Sequence, residues 1–216
     1  MRHKRPLNDL WEIMTALQGY NVRHRRFPPQ AIYDREGKPL LSWRVAILVE
    51  LGCPAMPFNF DEPWDSTHNE QFIEQMPEVY RPAPTHTLHK APPGMTRYQA
   101  VVGNNCAFEG SEGMKIRSVI DGTANTIMLV ETEHELAVPW TKPADWMFEE
   151  MDPLKGLRGS PAIEPLRETF AVGFVDGHVE DIDRRIEPEV FRCLVLRNDG
   201  IPIHRYRLSP LGTRAV

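Results

Sequence analysis

The densest set of chemistry-bearing side chains lies at residues 59 to 72, NFDEPWDSTHNEQF, where Asp61, Glu62, Asp65, His68, Asn69 and Glu70 surround Trp64. Carboxylates this close together suit a divalent cation or a general acid and base pair. Calcium requires about six to eight oxygens. Asp61, Asp65, Ser66 and Asn69 supply a few, but the Asp-x-Asp-x-Asp-Gly ladder of a dedicated calcium loop is absent. A local explanation competes. Thr67-His68-Asn69-Glu70 has capping-box spacing, in which the Thr hydroxyl accepts from the amide of Glu70 and the Glu carboxylate reaches back. This spacing predicts a helix from Thr67 through Phe72, Ile73 and Met76 to Pro77. Asp61, Glu62 and Asp65 then precede its positive end, where each acid is favoured by about 0.3–1 kcal/mol. The acids therefore have a structural role to play, and the reading adopted is a helix start with no metal ligand.

Other candidate groups are thinner. His86-Thr-Leu-His89 has i, i+3 spacing but lies among prolines, without the Glu of an H-E-x-x-H zinc site. Glu131, Glu133, His134 and Glu135 follow an apolar run, yet strand alternation puts the three acids on one face and His134 on the other. Asp121-Gly122 and Asp176-Gly177 read as turns rather than as acids. No G-x-S-x-G elbow and no G-x-x-x-x-G-K-[ST] loop occurs anywhere. Cys53, Cys106 and Cys193 are odd in number and form no C-x-x-C, so they are expected as small core or loop residues. Trp64 and Trp140 stand in proline-flanked segments, where each can plug a loop onto the core or offer an aromatic face to a partner or sugar.

These residues need a scaffold. A chain of 216 residues is long enough to bury a core without metal or disulfide staples. Hydrophobic residues at 41% and charged residues at 25% are ordinary globular values, while 20 prolines predict much irregular loop. A net charge of −5 argues against a phosphate-tracking surface, and so against nucleic acid as partner. Nothing approaches 18 consecutive apolar residues, so no membrane span, signal or anchor is read in this chain, and a cytoplasmic location is the default.

Leu7, Leu10, Trp11, Met14 and Leu17 recur at helical spacing, with Pro6 suited to the first turn and Gly19 near the end. From Leu41 to Leu51 the apolar residues alternate as in a strand, but Ser42 as N-cap and the apolar Ala46 and Leu48 favour a short buried helix. Residues 81 to 95 form a proline-rich connector between a helix-rich lobe of residues 6–80 and a strand-rich lobe of residues 96–200, within a single domain over 1–216. Residues 201–216 form a tail. TRYQAVV and TIMLVE are expected as strands, and FAVGFVDGHVEDID as a hairpin with Asp176-Gly177 at the centre of a type I′ turn. Pro188 then opens a helix bearing Val190, Phe191, Leu194 and Val195, stopped by Asn198 and Gly200. The order predicts a loop-rich α+β fold, with an amphipathic N-terminal helix and short helices packed on one face of an antiparallel sheet.

The ordered set FPP, LLSWRVAIL, DEPWDSTHN, a Tyr-containing strand leading to VVGNNCAFEG, IDGTANTIMLVE, AVPWTKP, and FVDGHV followed by IEPEVFRCLVLRNDG resembles a large planctomycete family of unknown function whose members are prepilin-like. The match runs from about Leu7 to about Gly200. The family's usual prepilin leader and long hydrophobic helix are not seen in this chain, and Leu166 stands where the family often has His. The resemblance implies a pseudopilin-like, non-catalytic module of a family typically exported to the cell envelope.

Two functions follow as expectations. The first is a structural or interaction module, not an enzyme, with no cofactor, no metal and no catalytic residue; a protein partner or self-association is open. The alternative is a small hydrolase or calcium-dependent glycan-binding domain using the acidic 61–70 segment. Trp64, Asp65, Glu131 and Trp140 are the candidate partner or ligand surface. Convergence of Asp65 and Glu131 within about 5 Å around a shared cavity would favour the alternative.

Overall fold

The computed structural model describes residues 6–81, 92–157, 168–201 and 203. The first helix, α1, spans Pro6–His24, running past Gly19 and ending where Arg25 takes a φ of 62° and its amide donates to Asn21 O. Leu10, Ile13, Met14 and Leu17 form its buried stripe, whereas Trp11, expected on that stripe, is 55% exposed. The buried stripe continues at i+3 and i+4 through Ile13, which leaves position 11 on the outer side.

A hairpin of β1 (Ala31–Tyr33) and β2 (Pro39–Ser42) leads directly into α2 (Trp43–Ala46). The stretch from Leu41 to Leu51 thus begins as strand and turns helical at Ser42, whose hydroxyl accepts from Arg44 N at 3.2 Å, an N-cap as expected. Next come β3 (Met95–Thr96), β4 (Tyr98–Val102), β5 (Ile127–Glu131), β6 (Val138–Pro139), β7 (Trp146–Met147), β8 (Thr169–Phe174) and β9 (Val179–Asp183). Strands β3 and β6 pair with each other. The main sheet has the order β7-β4-β5-β8-β9, antiparallel throughout except for the parallel β4–β7 edge. The last helix, α3, is Pro188–Val195, with Pro at its first turn. The fold is α+β.

The sequence predicts helices on one face of this sheet, but they cover both. Along β8, Phe170, Val172 and Phe174 join Phe191 and Leu194 of α3 in one apolar cluster. Ala171 and Val175 belong to the other cluster, with Leu10, Met14 and Leu17 of α1. Successive strand residues point to opposite faces, so a run apolar at every position needs two covers. Gly173 makes the α1 side possible: a Cβ there would lie 2.6 Å from Met14 Sδ. The α1 cluster also takes Trp43, Phe58, Phe72 and Tyr80 from the 6–80 stretch and Met128 and Trp140 from the 96–200 stretch.

The β8–β9 hairpin forms, but its turn is not type I′. That turn requires positive φ at both central residues, and among the described residues only Arg25 and Asn105 have positive φ without being glycine. Gly177 N donates to Phe174 O at 2.8 Å, which makes Val175 and Asp176 the central pair, and Gly177 follows them with a φ of 98°. Phe174 N to His178 O, at 2.9 Å, closes a three-residue loop of the bulged kind. The Asp-Gly pair marks the reversal correctly, one position out of phase.

Candidate functional site

The acidic segment is a looped surface organised around a neutral residue. Asn69 is fully buried, and its amide nitrogen donates to the carbonyls of Asn59, Glu62 and Pro63 at 2.9, 3.0 and 3.1 Å. Its amide oxygen accepts from Asn59 N at 2.9 Å. One side chain thereby closes the 59–63 turn onto residue 69 and satisfies backbone groups that the irregular chain would otherwise leave unpaired. Asn59 completes the knot by accepting from Asp61 N at 3.1 Å and donating to Glu62 Oε1 at 2.8 Å.

The capping box does not form. Ser66, one residue earlier than expected, accepts from Asn69 N at 3.1 Å, while its carbonyl takes the amide of Glu70 at 2.9 Å. Thr67 is exposed, and the expected helix to Pro77 reduces to a 3₁₀ turn at Glu70–Phe72. Asn69 explains the shortening: its donors reach back to the 59–63 turn, fixing the segment as a clasp before a longer helix can build. Asp61, Asp65 and Glu70 are exposed around this clasp.

The four residues of the expected ligand surface fare differently. Asp65 lies at the surface. Trp64 is half-buried against the α1 cluster, its amide bonded to Leu40 O at 2.8 Å and its ring lying 5.4 Å from the ammonium of Lys142. Trp140 has no exposed surface: it stacks on Tyr80 and donates through Nε1 to Ile73 O at 3.1 Å. Glu131 is 4% exposed and pairs with Arg97 at 3.0 Å, while Arg97 Nε also holds Thr132 O at 2.8 Å. Trp140 and Glu131 are thus corrected from surface to interior. Strand alternation also stops at Glu131, because residues 134–136 turn into a 3₁₀ helix, so Glu131, Glu133 and Glu135 do not form one acidic face. His86 and His89 lie outside the described residues.

A stronger polar centre was missed by sequence reasoning. Asp145 and Arg44 have no exposed side-chain surface and meet at 2.7 Å. Asp145 Oδ1 accepts also from Ala100 N at 2.8 Å and from Trp43 Nε1 at 3.1 Å. Arg44 donates through Nε and Nη2 to Tyr98 O, at 3.1 and 2.9 Å, and through Nη1 to Ser42 Oγ at 2.8 Å. Tyr80 donates its hydroxyl to Arg44 O at 2.9 Å. Burial pushes the Asp145 carboxyl above the usual range, against the pull of Arg44, the Ala100 amide and the Trp43 indole. The only sequence signal was Ser42-Trp43-Arg44 inside an apolar run, where an arginine demands a partner.

Similar economy appears elsewhere. Asp121, expected as a turn residue, accepts from Asp199 N at 2.7 Å and Gly200 N at 3.0 Å, clasping the chain beyond α3. Arg197 N reaches Asn105 O at 2.9 Å, and its guanidinium pairs with Glu109. Burial pushes the Cys106 thiol up to about 12, which keeps it protonated and unreactive at neutral pH. Among the described residues, no group of three or more His, Cys, Asp or Glu is placed to hold a metal ion, and no helix is long and apolar enough to cross a membrane.

No curated protein and no solved structure matches this chain. Its motif residues, from Ser42-Trp43-Arg44 through Asn69 and Asp121, coincide with the bonds that hold the fold. Residues 7–168 match the model of a family described as protein of unknown function (DUF1559), and the chain belongs to that family.

Proposed function

We propose that this chain is a non-catalytic structural or interaction module, resembling the globular part of a pseudopilin from the planctomycete group that its motifs are similar to. One observation carries the reading: the motif side chains of Arg44, Asn69 and Asp121 bond main-chain groups of the same molecule. Arg44 holds Tyr98 O, Asn69 holds three carbonyls, and Asp121 holds two amides. A catalytic constellation needs a nucleophile, a base and an orienting group converging on one reacting atom, and these side chains converge on peptide groups. The placement of the long N-terminal helix α1 along β8 and the edge strand β9 of a mainly antiparallel sheet supports the pseudopilin comparison.

A module of this kind acts through its surface, by self-association or by binding a protein partner. Sedimentation velocity from micromolar to near-millimolar protein, alongside assays with ester, phosphate and glycoside substrates, tests the reading. Reversible, concentration-dependent association without turnover is the expected result. Turnover that Asp65→Asn abolishes would overturn it.

A further inference from the structure

We draw no further inference here: the strongest candidate, the exposed apolar patch of Ile120 and Ile201 flanking the Asp121 clasp, carries nothing, because nothing in the structure shows what covers it.

Discussion

Two polar regions of this molecule invite opposite conclusions from sequence and from structure. The 61–70 segment concentrates acids within ten positions, yet Asp61, Asp65 and Glu70 lie at the surface, and the residue that organises them is the neutral Asn69. The Arg44–Asp145 pair is separated by 101 positions and sits wholly inside. Charge density along a chain measures solvation more often than chemistry. Arg44 stands alone in an apolar run, and the fold supplies its partner.

The sharpest way to break this comparison is at the buried pair. Asp145→Ala should cost about 3–5 kcal/mol, because it leaves the Arg44 guanidinium without its counter-charge in the interior. At about 2–4 °C per kcal/mol for a chain of this size, the melting temperature should fall by roughly 6–20 °C. A drop of a degree or two would show that water reaches Arg44 and that the pair is not the structural centre described.

Next comes the clasp. Asn69→Ala should cost about 1–3 kcal/mol in urea unfolding, since buried backbone groups of residues 59 to 63 lose their partner. Asn69→Asp sharpens the point. The carboxylate preserves the shape but directs oxygen at three carbonyls, so it should be at least as damaging as alanine. Were Asn69→Asp tolerated and stabilised by calcium, the segment would be a cation loop after all.

A smaller effect separates the two hydroxyl residues. Ser66→Ala should lose about 0.5–1 kcal/mol with its cap-like bond to Asn69 N, while Thr67→Ala should stay within about 0.5 kcal/mol of the parent. Thermal melts of both variants, measured side by side, decide the order; the reverse order would restore the capping box.

The smallest expected effect is at the acids themselves. Asp61→Asn and Asp65→Asn should each change stability by no more than about 0.5 kcal/mol, and neither should alter the response to calcium. A cation at 100 times its dissociation constant would add about 2.7 kcal/mol, or roughly 5–11 °C. A reproducible calcium-dependent rise of that size, lost in either variant, would contradict the assignment of this segment as a clasp.

Much of the fold was legible because its signals are local. The periodicity of α1, the β-branched run of β5, the alternation through β8 and Pro188 at the start of α3 all report on neighbours within a few residues. Two of the failures were local as well, and of phase. Ser66 accepts from Asn69 N where Thr67 was expected to accept from Glu70 N, and Gly177 follows the turn rather than sharing its centre. Ser and Thr have similar capping chemistry, and Asp-Gly suits more than one turn, so residue type alone does not choose between adjacent positions.

The candidate surface was harder to read. Trp64 and Trp140 look alike in sequence, each flanked by proline, and their fates diverge because only Trp140 finds Tyr80 and the carbonyl of Ile73 beneath it. Glu131 ends a strand in the manner of a catalytic acid, but Arg97 is already beside it.

By itself, the sequence determined the helices α1 and α3, the strands β4, β5 and β8, and the β8–β9 reversal to within one position, because backbone preference and apolar spacing act over short distances. Only the tertiary structure decided that the sheet is covered on both faces, that Arg44 finds Asp145, that Asn69 rather than the acids organises its segment, and that Asp121 clasps the chain after α3. Each of these depends on bringing together groups far apart in the chain or choosing among chemically equivalent neighbours. The selection is made by burial, since a polar group removed from water must be paired wherever the fold places its partner.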